Sequence, residues 1–129
     1  MGFTILVVDD SSTVRKIISR CLRQAGLEIA RICEAGNGQE ALATLDREPI
    51  DAVLTDINMP VMDGVQLLSA IRQRPAVKST PVLMITTEAG AEAVVDAVGR
   101  GATGYIKKPF TAAEIYEQLA PILKTCNRT

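Results

Sequence analysis

Short blocks of β-branched and apolar residues alternate regularly with stretches of helical spacing along the chain. Five blocks are predicted strands: Thr4–Val8, Ile29–Ala35, Asp51–Thr55, Pro81–Thr86 and Gly104–Ile106. A strict βα alternation with short connections predicts an α/β fold with a parallel sheet and right-handed crossovers. Aromatic residues make up only 3 % of the sequence, so the core must consist of Val, Ile, Leu and Ala. That composition suits parallel strands covered by helices on both faces.

Five stretches between and after the strands are predicted helices. The first carries apolar residues at helical spacing, begins at a cap on Ser11 or Ser12, and places Val14, Ile17, Ile18, Cys21 and Leu22 toward the core. The next three occupy about 37–47, the stretch that follows Gly64 and ends before Pro75, and about 91–100. The fifth opens with a capping box from Thr111 to Glu114. Pro121 falls inside it, so we expect a kink or an early end there.

Composition excludes several classes of function. With 129 residues we expect one domain over residues 1–129. Lys plus Arg is 14 and Asp plus Glu is 15, a net charge of −1, which argues against a nucleic-acid surface. No apolar run reaches the roughly 20 residues of a membrane span. The three cysteines lie far apart and histidine is absent, so we expect no zinc site, no disulfide framework and a cytoplasmic protein.

Polar residues that can carry chemistry stand where the predicted strands end. Asp9-Asp10 follows the first strand and Asp56 the third, Thr86 closes the fourth, and Lys107-Lys108 follows the fifth. Ligands of parallel α/β sheets bind beyond the carboxyl ends of the strands. If these strands are close neighbours, three carboxylates, a hydroxyl and an ammonium group meet at one edge.

Three clustered carboxylates repel one another, so they must take up protons or hold a cation. Oxygen ligands without histidine or thiolate favour a hard ion, and beside a phosphate that ion is most simply Mg²⁺. A carboxylate such as Asp56 is also a competent nucleophile toward phosphorus. Lys108 can then pair with one phosphoryl oxygen, and Thr86 can donate a hydrogen bond to another. Taken singly, each residue could serve only as a turn, cap or surface residue; their joint placement favours phosphoryl transfer.

Two other classes share parts of this pattern. A flavodoxin-like FMN protein has the same fold, but Asp9-Asp10 would repel a phosphate in the loop after the first strand, and aromatic residues that could sandwich a flavin are scarce. An aspartyl-phosphate hydrolase also uses an Asp nucleophile with Mg²⁺, but it carries D-x-D after its first strand. It also needs room for a cap, which this length hardly leaves.

Four motifs together resemble the receiver domain of bacterial two-component response regulators. They are Val7-Val8-Asp9-Asp10-Ser11, the D-x-N-M-P-x-M-D-G stretch from Asp56 to Gly64, Met84-Ile85-Thr86-Thr87-Glu88-Ala89, and Gly104-Tyr105-Ile106-Lys107-Lys108-Pro109-Phe110-Thr111. The resemblance covers about residues 3–124 and is strongest to the stand-alone chemotaxis type. It implies a flavodoxin-like, doubly wound, five-stranded parallel sheet of order 2-1-3-4-5 with five helices.

The resemblance also implies the roles of individual residues. Asp56 would be the phosphoacceptor, and Thr86 and Lys108 would contact the phosphoryl group. Mg²⁺ would be bound by Asp10, Asp56 and the main-chain carbonyl of Asn58, with Asp9 acting at least through water. Tyr105 would be the second switch residue after Thr86. Asn58 and Glu88 would line the path of the water that hydrolyses the acyl phosphate.

The implied partners follow from the same resemblance. A phosphohistidine on a sensor histidine kinase would supply the phosphoryl group, and the chain would be a signalling protein with intrinsic self-dephosphorylation rather than an enzyme. Output would pass by protein–protein contact from a monomer, with the flagellar motor switch as the leading partner and a phosphatase as a further one. A phosphorelay intermediate, or a receiver domain from a larger regulator, is the alternative.

Overall fold

A computed structural model describes residues 2–57, 59–86, 99, 101–107 and 110–126 of the chain. The strands are β1 (Phe3–Val8), β2 (Ile29–Ala35), β3 (Ala52–Asp56), β4 (Val82–Thr86) and β5 (Gly104–Lys107). The helices of this described part are α1 (Ser12–Gln24), α2 (Gly38–Arg47), α3 (Gly64–Gln73) and α4 (Ala112–Cys126). The helix predicted at about 91–100 lies outside the described residues, apart from Gly99, so α4 is the fifth predicted helix.

The five strands form one parallel sheet in the order β2-β1-β3-β4-β5. This confirms the α/β class, the parallel sheet and the strand order implied by the resemblance. Each predicted strand boundary lies within one residue of the observed one. The difference in strand boundaries that matters most for the site is at β3, which begins at Ala52 and includes Asp56 as its last residue.

Hydrophobic clusters cover both faces of the sheet, because successive residues of a strand point to opposite sides. On β1, Leu6 and Val8 pack with α2 and α3, while Ile5 and Val7 pack with α1 and α4. The apolar residues that stand at helical spacing on α2 and α3 are all buried: Ala41, Leu42, Leu45, Leu67, Leu68 and Ile71. The sheet is therefore fixed between two helical layers, which leaves its edges and loop ends for function.

Helix α1 begins where the sequence indicates. The Ser11 side chain accepts a hydrogen bond from the main-chain N–H of Val14 at 3.2 Å, so Ser11 is the cap. Ile18 and Leu22 are fully buried, but Ile17 is 49 % exposed, and its predicted place in the core is wrong. Successive helical residues are about 100° apart. Ile17 therefore lies about 100° from Ile18 around the helix, on the side away from Leu22, and so outside the face that these two residues define.

The predicted capping box of α4 is present. Thr111 Oγ1 accepts from the Glu114 N–H at 3.2 Å, and Glu114 Oε1 accepts from the Thr111 N–H at 3.1 Å. The helix continues through Pro121 to Cys126, so an early end at Pro121 is wrong. Pro121 and Glu117 are both exposed, so the hydrogen bond that Pro121 cannot donate is missing on the solvent side of the helix. No helix in the described part of the chain is long and apolar enough to cross a membrane.

Candidate functional site

Three carboxylates meet at the carboxyl edge of the sheet. Asp9 and Asp10 follow β1, and Asp56 ends β3, the neighbouring strand. One carboxylate oxygen from each lies within 4.8 Å of the others. Asp9 is only 2 % exposed, Asp56 is half-buried and Asp10 is exposed. The sequence-based prediction that these three side chains converge is therefore confirmed.

Local main-chain contacts orient the two less exposed carboxylates. Asp9 Oδ1 accepts from the N–H of Ser11 at 2.9 Å, while the Asp9 N–H donates to the Ala35 carbonyl of β2 at 3.1 Å. Asp56 Oδ1 accepts from the N–H of Ile57 at 2.8 Å. A carboxylate offers about four lone-pair sites on its two oxygens, so these main-chain hydrogen bonds do not by themselves prevent either group from binding a cation.

The loop after Asp56 is shaped by glycine at position 64. A Cβ atom there would lie 2.3 Å from the Asp56 carbonyl oxygen, and the Gly64 N–H donates to the Ile57 carbonyl at 2.7 Å. Asp63 then caps α3 in a reciprocal box with Gln66. The Asp63-Gly64 pair at the end of the motif thus lets α3 begin in direct contact with Asp56, the phosphoacceptor candidate. The sequence already contained the signal for this cap, since Gln66 stands three residues after Asp63.

The other predicted site residues are described in part. Thr86 ends β4 and is paired in register with Lys107 of β5, which places its main chain at the same edge as Asp56; its side chain lies outside the described part. Tyr105 lies on β5 and is 45 % exposed. Asn58, Glu88 and Lys108 lie outside the described residues.

Arg15 is a site neighbour that the sequence analysis missed. Its guanidinium donates to the main-chain carbonyl of Asp9 and, at 2.9 Å, to Oε1 of Glu34 on β2. The available signal was an arginine in the first turn of a helix that has no acidic residue there.

The electrostatics of the cluster define what it can do. Two unit charges 4–5 Å apart repel by about 4 kcal/mol at an effective dielectric of about 20. Three carboxylates at such distances form a favourable site for a hard cation, because all the ligand atoms they offer are oxygen. A carboxylate beside such a cation can also be approached by a phosphoryl group, whose own negative charge the cation offsets.

This fold with three clustered carboxylates at the carboxyl edge defines a phosphorylation-dependent receiver, and the chain belongs to the response regulator receiver domain family, whose profile matches residues 5–120. It is 46 % identical over 120 residues to the chemotaxis protein CheY-3 of Vibrio cholerae, covering 93 % of this chain and 91 % of that protein. The family is one of two-component signalling proteins. Membership decides against the FMN protein and the aspartyl-phosphate hydrolase.

Solved structures show the same similarity. Chemotaxis protein CheY4 of Vibrio cholerae matches with a TM-score of 0.84 and 36 % identity, covering 95 % of this chain and 99 % of that one. The receiver domain of a sensor histidine kinase from Pseudomonas aeruginosa, solved with a magnesium ion coordinated in its active-site cleft, matches with a TM-score of 0.84 and 27 % identity. That match covers 96 % of this chain and 99 % of the other.

Proposed function

We propose that Asp56 accepts a phosphoryl group from a phosphohistidine of a sensor histidine kinase, and that Mg²⁺ bound at the acidic cluster makes this transfer possible. The observation that carries the proposal is the approach of carboxylate oxygens of Asp9, Asp10 and Asp56 to within 4.8 Å of one another. An Asp56 oxygen attacks phosphorus, the P–N bond to the donor histidine breaks, and an acyl phosphate forms on Asp56.

The donor set fits the cation. Asp10, Asp56 and the main-chain carbonyl of Asn58 would bind Mg²⁺ directly, with Asp9 acting at least through water. The bound ion supplies charge neutralisation of the phosphoryl oxygens and of the carboxylates. The magnesium-bound receiver domain from Pseudomonas aeruginosa supports this assignment by similarity.

Lys108 and Thr86 would hold the phosphoryl group from the other side of the edge, Lys108 by its charge and Thr86 by a hydrogen bond. The register that brings Thr86 beside Lys107 supports this arrangement. Drawing Thr86 toward the phosphoryl group would free space for Tyr105 and shift a pre-existing equilibrium. Asn58 and Glu88 would orient the water that later hydrolyses the acyl phosphate, which gives self-dephosphorylation and a short-lived signal.

Output would leave by protein–protein contact, most directly in chemotaxis, as the similarity to CheY-3 supports. A cleft of about 350 Å³ between β5 and α4 offers a surface of mixed charge for such a partner, lined by Tyr105, Ile106, Lys107, Glu114, Glu117 and Gln118. The flagellar motor switch is the first partner to test, and a phosphorelay protein is the alternative. A single receiver domain over residues 1–129 is part of the same proposal.

Labelling with acetyl phosphate tests the central assignment. Asp56→Asn should lose the acid-stable, hydroxylamine-sensitive label, because an amide cannot form the acyl phosphate. Asp46→Asn, at the far end of α2, is the control and should label as the wild type does. Retention of wild-type labelling by Asp56→Asn, with the label mapped to that position by mass spectrometry, refutes the proposal.

A further inference from the structure

Arg15 lies in the first turn of α1 and contacts the ends of two strands. Its Nη1 donates to the main-chain carbonyl of Asp9, just beyond β1, and its Nε donates to Oε1 of Glu34 on β2 at 2.9 Å. The Arg15 side chain is 18 % exposed, against 42 % for Glu34. The guanidinium is therefore fixed at the same edge of the sheet as the acidic cluster.

A cation in this position does not stabilise α1. The first turn of a helix carries partial positive charge, so Asp or Glu is favourable there and Arg is not. No acidic residue occupies the first turn of α1, and the helix is capped by Ser11 instead. The position of Arg15 is explained by the groups that it contacts rather than by the helix that carries it.

The carbonyl that Arg15 contacts belongs to the peptide group joining Asp9 to Asp10. Because that group is planar, a hydrogen bond that fixes the carbonyl also fixes the direction in which the chain enters Asp10. Asp10 is the exposed carboxylate of the cluster, so packing constrains it least. A change in the direction of that carbonyl would therefore shift the Asp10 carboxylate relative to Asp9 and Asp56.

We infer that Arg15, anchored by Glu34, is a positioning residue for the divalent cation site; the inference rests on the proposed Mg²⁺ site. Groups that orient metal ligands typically change metal affinity by 10- to 100-fold when they are removed. A competing effect has the opposite sign, because a guanidinium near the cluster also repels a cation. Positioning predicts weaker Mg²⁺ binding when the contact is lost, whereas repulsion alone predicts tighter binding.

The experiment is isothermal titration of the full chain with Mg²⁺ at constant ionic strength. Arg15→Lys keeps the charge but loses the planar group that makes both hydrogen bonds. Glu34→Ala removes the anchor, and Glu34→Gln keeps its acceptor oxygen. Arg74→Lys is the matched control, since Arg74 pairs with Asp46 at 2.6 Å at the opposite end of α2 and α3. Circular dichroism and urea unfolding without Mg²⁺ establish that each variant is folded.

Arg15→Lys and Glu34→Ala should each bind Mg²⁺ about 10-fold more weakly than the wild type. Glu34→Gln and Arg74→Lys should bind as the wild type does. Wild-type or tighter binding by Arg15→Lys overturns the inference, and so does a Glu34→Gln variant as weak as Glu34→Ala, which would assign the effect to charge. An absence of Mg²⁺ binding by the wild type refutes the proposed metal site itself and removes the inference with it, before any variant is compared.

Discussion

Cys33 lies on β2 with its thiol partly buried and its Sγ 3.9 Å from Oε1 of Glu48. Burial raises the pKa of the Cys33 thiol above its ordinary value, and the Glu48 carboxylate raises it further. Burial also raises the pKa of the Cys21 thiol, where the charge of Arg20 acts in the opposite direction. Both thiols are held protonated, which agrees with the packing role that the sequence indicates for them.

At pH 8.5, iodoacetamide should alkylate Cys33 severalfold more slowly than the same residue in the urea-unfolded chain, because the thiolate is the reactive form. Glu48→Gln should accelerate alkylation of Cys33 and leave Cys21 unchanged, as measured by peptide mass spectrometry. Since the folded pKa is raised, the associated stability is present below the unfolded pKa of about 8.5 and is lost as pH rises through the folded value. Equal acceleration at both cysteines would contradict the role of Glu48.

At the scale of residues, most of the site residues that the sequence predicts lie in contiguous motifs. Asp9, Asp10 and Asp56 could be placed together because each closes a strand, and parallel strands end at one edge. The contacts of Arg15 could not be predicted, since its partners, Asp9 just beyond β1 and Glu34 on β2, are brought to it only by the packing of α1. The prediction that Ile17 packs in the core is wrong because helical spacing identifies the apolar face of a helix but not the width of that face.

At the scale of elements, the loop between β3 and α3 contains a strained turn. Val61 has φ of +70°, and the Met62 N–H donates to the Pro60 carbonyl at 2.7 Å across it. A β-branched residue is disfavoured at positive φ, at a cost of about 1–3 kcal/mol. Met62 packs against Gly38 on one side, which holds the turn in place. The Val61 side chain itself is 69 % exposed, so packing offsets little of that cost.

Val61→Asn should therefore raise the free energy of unfolding by about 1 kcal/mol, because Asn tolerates positive φ. Val61→Ala keeps a Cβ atom without that tolerance and should gain less. Urea unfolding of the two variants beside the wild type provides the measurement. A loss of stability in Val61→Asn would show that the valine side chain stabilises the turn by contacts that outweigh its strain.

Arg72, at the end of α3, ties three segments together through main-chain carbonyls. Its guanidinium donates to Gly101 at 2.7 and 3.1 Å, to Thr80 at 2.7 Å and to Lys78 at 3.1 Å. Burial lowers the pKa of the group, which nevertheless stays charged at neutral pH. The Arg72 guanidinium thus joins α3 to the segments that precede β4 and β5.

Arg72→Ala should lower the free energy of unfolding by about 2 kcal/mol, since hydrogen bonds from a charged donor contribute about 1.5–3 kcal/mol each before solvent exposure is discounted. Arg74→Ala is the matched control: it removes an exposed ion pair with Asp46 and should cost about 0–1 kcal/mol. Equal losses in the two variants, measured by urea unfolding, would show that the shared carbonyl contacts contribute nothing beyond an ordinary surface arginine.

The ends of these strands and helices could be predicted closely. The strands are short apolar runs, and the helix starts are marked by capping residues whose hydrogen-bond partners follow within four residues. Ser11, Thr111 and Glu114 carry hydrogen bonds that the residue types alone indicate. The passage of α4 through Pro121 differs from the local expectation because packing overrides the proline: Ile115 and Leu119 before it and Leu123 after it are all buried.

At the scale of the whole molecule, the alternation of strands and helices predicts a parallel sheet but not the order of its strands. Any order with right-handed crossovers satisfies the same sequence pattern. The order 2-1-3-4-5 came from the resemblance, and it is this order that places β1 beside β3 and so brings Asp9 and Asp10 to Asp56. The acidic site is thus a property of the topology as much as of its residues.

That topology links the site to global stability, because β1 and β3 are central strands of a fold expected to unfold as one unit. Repulsion among Asp9, Asp10 and Asp56 destabilises the metal-free folded state, and a bound cation reverses this by mass action. Mg²⁺ at 100 times its dissociation constant should raise the free energy of unfolding by about 2.7 kcal/mol.

Asp56→Asn should raise the free energy of unfolding of the metal-free protein and reduce the gain in stability that Mg²⁺ gives. It removes one of the three charges, so the metal-free variant should be more stable than the metal-free wild type, by an amount on the order of 1 kcal/mol or more. It also removes a metal ligand, so its gain in stability on adding Mg²⁺ should be much smaller. Urea unfolding with and without Mg²⁺, at matched ionic strength, measures the four values.

Asp46→Asn should retain the wild-type response to Mg²⁺, because it lies at the other end of α2. If metal-free Asp56→Asn were less stable than the wild type, the cluster would be held together by hydrogen bonds whose contribution exceeds its repulsion, and the electrostatic argument for the cation site would fail.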